Sequence, residues 1–246
     1  AIQVAWQVHD LSGKCVSNQS YIVYPDGFTI PYDSEKIHGI STELGKKIGV
    51  EINFVLDKFH EDLKNSKFIC GHNLNFDEKI LGSEYLRSKG TNPLQDFPKI
   101  DTCTEETAGI CMLTGGRGRK FKLPTLMELY KHLFNQEFDS AHNASADVEA
   151  TALCLFKLLK EKKIHPSSLS DKNEILDELI NLDLSKVIVT DINHIDLFEE
   201  SRKLKEDKNL EKNQKYSKPD IKQQEFKFAH LHSYTQFSIL QSTSKI

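Results

Sequence analysis

The residues best suited to chemistry lie in two short segments, Gly71-His72-Asn73-Leu74-Asn75-Phe76-Asp77 and His142-Asn143-Ala144-Ser145-Ala146-Asp147. Each sets an aspartate where the pattern predicts the first turn of a helix. Two carboxylates on rigid helix starts, aimed into one cleft, offer the hard oxygen ligands that Mg²⁺ prefers. Cutting a phosphodiester by the two-metal route needs such acids to hold two ions about 4 Å apart, flanking the attacking and leaving oxygens. His142, just ahead of Asp147 on a loop, can reach a water and take its proton. Taken singly, each residue has a plainer reading. An acid in a first turn complements the helix dipole, and a loop histidine is commonly a surface residue.

The elements that position these residues follow from pattern. Residues 1–9 are rich in β-formers, and Asp10-Leu11-Ser12-Gly13-Lys14 is a turn. A second strand runs from Cys15 to Tyr24 and stops at Pro25-Asp26-Gly27. Ser41 to Leu63 carries helical spacing through Leu44, Ile48, Phe54 and Leu63, with Ser41 as N-cap. Phe68-Ile69-Cys70 is a short buried strand ending in Gly71. The next helix starts at about Asn75, with Phe76, Ile80, Leu81, Tyr85 and Leu86 on its inner side and Gly90 as its stop. Pro98 to Asp101 is another short strand. Leu123-Pro124-Thr125-Leu126 opens a helix through Leu129 and Leu133. The last strong helix runs from Ala144 to about Lys160, with an apolar stripe of Ala144, Val148, Ala152, Leu155 and Leu159.

Strands come first and helices later, which predicts an α/β fold: a sheet flanked by helices. That domain is expected to end near residue 165, at Ile164-His165-Pro166. Residues 167–190 have room for a helix (Ile175, Leu176, Leu179, Ile180) and a strand (Val187-Ile188-Val189). Residues 201–222 hold eight Lys/Arg against four Asp/Glu and few large apolar side chains. Such a stretch buries too little surface to fold and reads as linker. From Phe226 to Leu240 the chain turns apolar and begins something new.

At 246 residues the chain can build one good core with material to spare. Its net charge is −4 and its pI about 6.2, so no global basic field marks a nucleic-acid binder. An acid-lined metal site tolerates that balance. The five scattered cysteines (Cys15, Cys70, Cys103, Cys111, Cys154) form no C-x-x-C pair and read as reduced thiols of a cytoplasmic protein. No apolar run approaches the ~18 residues of a membrane helix, and no signal peptide is expected.

The segments Gly71-His72-Asn73-x-x-Phe76-Asp77 and His142-Asn143-Ala144-x-Ala146-Asp147-x-Glu149-Ala150-Thr151 resemble the second and third motifs of the DEDDh exonucleases. This proofreading family includes the epsilon subunit of bacterial DNA polymerase III. Ile37-His38-Gly39-Ile40-Ser41 is similar to a family segment between the first and second motifs. The resemblance covers roughly residues 1–160. It implies a ribonuclease-H-like fold that removes nucleotides from DNA 3′ ends with two divalent ions, Mg²⁺ or Mn²⁺. By position, Asp77 and Asp147 match metal-binding acids, His142 matches the general base, and Asn73 is expected near DNA. The family's first motif, Asp-x-Glu on the opening strand, is missing. Asp33-Ser34-Glu35 has the letters but follows Pro31-Tyr32, and reads as a loop. The chain thus begins like a strand already under way, as a fragment would. With two of four ligand acids it should bind metal poorly.

The tail Phe228-Ala229-His230-Leu231-His232-Ser233-Tyr234 looks like the opening of a PHP domain. A His-x-His on a strand puts both imidazoles on one face, so His230 and His232 read equally as metal ligands or as a polar strand edge. Exonuclease, linker and PHP start in one chain resemble the Bacteroidetes-type alpha subunits of DNA polymerase III. Asp101-Thr102-Cys103-Thr104-Glu105 and Phe121-Lys122-Leu123-Pro124-Thr125-Leu126 also look like that group. The expected domains are residues 1–165 (exonuclease), 166–224 (charged linker) and 225–246 (PHP start). Expected partners are a primer 3′ terminus and replicase subunits such as the sliding clamp, with no membrane. Arg117, Arg119, Lys120 and Lys122, in a glycine-rich loop, either contact DNA phosphates or are merely solvated. Two other readings stay open: a stand-alone exoribonuclease of the same family, and a non-catalytic module that binds DNA or a partner.

Overall fold

The computed structural model describes residues 1–10, 12–138, 144–164 and 197–215. Strands β1 (Gln3–His9) and β2 (Cys15–Ile22) pair antiparallel, in register from Gln3 opposite Ile22 to Val8 opposite Ser17, with a one-residue shift before His9 opposite Cys15. The turn between them is held by Asp10, whose Oδ1 accepts from Ser12 N, Ser12 Oγ and Lys14 N. Trp6 of β1 is buried, and its indole N–H donates to Asp62 at 2.7 Å.

Three helices follow: α1 (Tyr32–His38), α2 (Thr42–Ile48) and α3 (Ile52–Lys64). Ser41 caps α2 as expected, its hydroxyl accepting from Leu44 N at 3.1 Å. The helical spacing read through to Leu63 is broken at Gly49-Val50-Glu51, where Val50 bridges Val23. A Cβ at Gly49 would lie 2.2 Å from Gly45 O and 2.7 Å from Tyr24 N, so only glycine lets α2 end against that strand. Asp33-Ser34-Glu35, expected in a loop, lies within α1. Asp33 and Glu35 sit in its first turn, where acids complement the helix dipole.

A β–α–β unit carries the first motif. Strand β3 (Ile69–Gly71) leads into α4 (Leu74–Lys89) and returns to pair in parallel as β4 (Lys99–Asp101), with Gly71 opposite Asp101. Gly90 ends α4 in the left-handed conformation. The inner face of α4 matches the expected one only at Tyr85 and, half-buried, Leu81. Phe76, Ile80 and Leu86 are 60, 42 and 55% exposed, whereas Leu74, Gly82, Glu84 and Tyr85 are buried. A polar anchor chooses the face: Tyr85 Oη donates to Leu56 O at 2.8 Å.

Helix α5 (Glu105–Cys111), a short 3₁₀ turn at Arg117–Arg119 and helix α6 (Leu126–Phe134) precede α7 (Ala144–Lys160). Thr104 and Thr125 head capping boxes at α5 and α6. Helix α7 packs on β1, β2, β3 and α6. It is therefore buried on more than one face, through Ala150, Cys154, Leu155, Phe156, Leu158 and Leu159, and Ala144, Val148 and Ala152 of the expected stripe are only half-buried. Leu129, Leu133 and Ile100 join α7 in the main core.

Contacts divide the chain into two compact units, residues 1–206 and 207–246. The stretch expected as unfolded linker from residue 201 contains a helix, α8 (Leu197–Lys215). Its first half belongs to the first unit, where Leu197 and Leu204 pack on Ile30, Ile40 and Leu44. Ser201 is buried, accepting from Ser41 N and donating to Gly39 O, and Lys205 pairs with Glu35. Leu197 and Leu204, seven residues apart, share one face with the buried Ser201, and Phe198 is exposed. Of the second unit only residues 207–215, the end of this helix, are described. Residues 166–190 and the Phe226–Leu240 stretch lie outside the described residues.

The architecture is thus mixed α/β with small sheets and flanking helices. All five cysteines are free. Among the described residues no helix is long and apolar enough to cross a membrane.

Candidate functional site

Asp77 lies in the first turn of α4 and Asp147 in the first turn of α7. Local chemistry fixes both starts. Helix α4 begins at Asn73, whose φ of 63° and ψ of 46° place it in the left-handed region, and whose side chain makes no cap. Asp101 caps from outside instead. Its Oδ1 accepts from Asn73 N and Cys103 N, both at 2.8 Å, and its Oδ2 from Leu74 N at 2.9 Å. The parallel register that sets Gly71 opposite Asp101 brings this carboxylate to the turn.

His72 fixes the same turn from the other side. Its Nε2 lies 2.9 Å from Pro124 O, and its Nδ1 lies 3.0 Å from Thr102 Oγ1. A carbonyl can only accept, so Nε2 carries the proton. Burial lowers the ring's pKa, opposed by the Pro124 carbonyl and by Asp101. The Thr102 hydroxyl beside Nδ1 donates to Gly71 O at 3.1 Å. His72 is a brace between β3, β4 and the segment before α6.

The start of α7 is tied to the first sheet. Ala144 N donates to Gln3 Oε1 at 3.2 Å, and the Ser145 and Ser20 hydroxyls meet at 2.7 Å. These ties bring Asp147 within electrostatic reach of Asp77. Burial pushes the Asp77 carboxyl up to about 6. Its own backbone N–H opposes the shift, and the Asp101 and Asp147 charges add to it. Asp77 is nonetheless exposed by its accessible surface, and solvent there screens much of both the burial cost and the repulsion. Asp77, Asp101 and Asp147 therefore form one acidic neighbourhood built from β4 and two helix starts.

The three acids are not equivalent. Asp101 spends both oxygens on three backbone N–H groups. Among the described residues no set of three or more His, Cys, Asp or Glu side chains is grouped to hold a metal. Asp101 and His72 were missed as positioning groups in the motif reading. The signal available for Asp101 was its place at the end of a strand that had to pair with the one before Asp77. No pattern in the chain reveals the hydrogen bonds of His72.

The other sequence candidates fall in different places. His142, His230 and His232 lie outside the described residues. Asn73 is exposed at the head of α4, beside Asp101. Arg117 is exposed in the 3₁₀ turn that also contains Arg119. Lys120 pairs with Glu105 in the first turn of α5, and Lys122 with Glu128. Part of the basic cluster is thus neutralised locally. Glu35 is paired to Lys205 and stands apart from the acidic neighbourhood as an acid of α1.

Cys70, Cys103, Cys111 and Cys154 are poor nucleophiles. Burial pushes Cys154 up to about 12 and raises Cys70, Cys103 and Cys111, with Asp101 adding to the shift at Cys70 and Cys103. The chemistry open to this region is that of carboxylates, cations and an incoming base. Compared with protein-family models and with curated proteins, the chain matches none.

Proposed function

We propose that residues 1–165 are a ribonuclease-H-like 3′–5′ exonuclease domain of the DEDDh type, acting on DNA 3′ ends. In this reading residues 166–224 are a linker and 225–246 the start of a PHP domain, within a replicative DNA polymerase III alpha chain of the cytoplasm. The observation that carries the reading is the meeting of Asp77 and Asp147. Two acids distant in sequence, each in a helix's first turn, lie close enough for the second to raise the proton affinity of the first.

The donor chemistry fits a divalent cation. Carboxylate oxygens are the ligands Mg²⁺ and Mn²⁺ take, and a carboxyl raised by burial and, after it, by neighbouring charges gains from a nearby cation. Asp77 and Asp147 would hold it. Once bound, such an ion supplies Lewis-acid stabilisation of the charge that builds on the phosphodiester. His142 takes the proton of the attacking water, and Asn73, Arg117 and Arg119 contact the strand.

A second reading is favoured by one observation: among the described residues no three His, Cys, Asp or Glu side chains are grouped to hold a metal. With Asp77 and Asp147 alone, the domain would serve as a non-catalytic holder of a primer end or a replicase partner. Reading the gene upstream of Ala1 for an Asp-x-Glu discriminates the two, and reading it downstream of Ile246 tests the polymerase assignment. In the protein that carries all four acids, His142→Ala is expected to cut excision of a mismatched 3′ nucleotide by about 10²–10⁴-fold. Normal excision by that variant, followed on end-labelled DNA, removes His142 from the role.

A further inference from the structure

We propose that Asp101 is a positioning residue for the acidic site, one that sets where Asp77 stands without itself binding the cation. The proposal rests on the cation-site reading above. Its ground is geometric. One carboxylate accepts three backbone N–H groups at 2.8–2.9 Å, two of them (Asn73 and Leu74) forming the turn that launches α4, and the third (Cys103) following its own strand.

That turn needs an outside holder. Asn73 pays the strain of a left-handed backbone, and α4 starts without a side-chain cap of its own. The first N–H groups of a helix must find acceptors, and here Asp101 supplies them across the parallel β3–β4 pair. Asp77 sits four residues after Asn73, in the turn so held. A shift of the N73–L74 peptides therefore moves the carboxylate on the next turn. Thr102 and His72 brace the same corner, with Thr102 N donating to Gly71 O at 2.9 Å. Asparagine at position 101 is nearly the same shape but keeps a single acceptor oxygen. Its NH₂ would face a backbone N–H, donor against donor.

The test is Mn²⁺ binding to the full chain, read by electron paramagnetic resonance, together with amide hydrogen exchange. Asp77→Asn and Asp147→Asn are expected to weaken Mn²⁺ at least tenfold. Asp101→Asn is expected to do the same and to speed exchange at Asn73 and Leu74 at least tenfold. The double variant D77N/D101N should bind no more weakly than D77N, because a residue that acts through Asp77 has nothing left to position. A direct ligand would add its own loss. Asp101→Glu keeps the charge but moves the oxygens, and should bind as weakly as Asp101→Asn. Wild-type affinity in D101N or D101E, or an additive double variant, overturns the positioning role and leaves the cation site standing. Unchanged Mn²⁺ binding in D77N and D147N overturns the cation site itself, and slowed or unchanged exchange at Asn73 and Leu74 in D101N overturns the capping geometry independently.

Discussion

At the residue scale, the acid pair makes a pH-dependent demand on stability. Asp77 has a carboxyl held above its ordinary value, first by burial and then by Asp101 and Asp147. A raised acid favours the folded state while protonated. Its contribution is fully present below the unfolded value near 3.8 and is lost as pH rises through about 6. Asp77→Asn should therefore raise the melting temperature at pH 7.5 and leave it unchanged near pH 3.5. Calorimetry at the two pH values checks this, and equal effects at both would show that the charge is not the cause. The same scale separates look-alikes. Asp33 and Glu35 have the letters of a metal motif, yet they sit in the first turn of α1, with Glu35 taken by Lys205.

At the element scale, the breaks matter as much as the helices. Helices α2 and α3 would be one by apolar spacing alone, and the close approach of Gly49 to Gly45 O and Tyr24 N separates them. Gly49→Ala is expected to cost about 1–3 kcal/mol, because both neighbours are backbone and cannot swing away. Gly109, inside α5, has nothing within 4 Å of an added Cβ. There Gly109→Ala should stabilise by roughly 0.5–1 kcal/mol. Urea unfolding of the two variants gives opposite signs if the geometry is right. Helix α4 teaches the complementary point. Its apolar residues surround it, so its burial was decided by Tyr85 and Leu74 rather than by Phe76 and Ile80.

At the scale of the whole molecule, the first unit is closed by a helix from well beyond the predicted domain end. Leu197, Leu204 and Ser201 seal the cluster of Ile30, Ile40 and Leu44. Ending the chain at Ile164 should expose that cluster and speed amide exchange through residues 40–48 by at least tenfold, since burying Leu197 alone is worth about 1.5–3 kcal/mol. Exchange that stays slow in the shortened protein would mean α8 is a passive attachment. The charged composition of residues 201–222 concealed this role, because counting charges averages over faces that a helix keeps apart.

Local pattern was enough for the two opening strands to within two residues at each end, the cap at Ser41, the helix opened near Leu126, the bounds of α7 and the choice of Asp77 and Asp147 as candidates. Those features depend on neighbours within a turn or two, where periodicity and capping chemistry act. Only tertiary structure decided that the two aspartates share a neighbourhood, that Asp101 holds the turn before one of them, and which face of α4 turns inward. Each of these depends on partners tens of residues away: the parallel pairing of β3 with β4, the ties of α7 to Gln3 and Ser20, the reach of Tyr85 to Leu56. Spacing along a chain carries no record of which distant backbone N–H a carboxylate will meet.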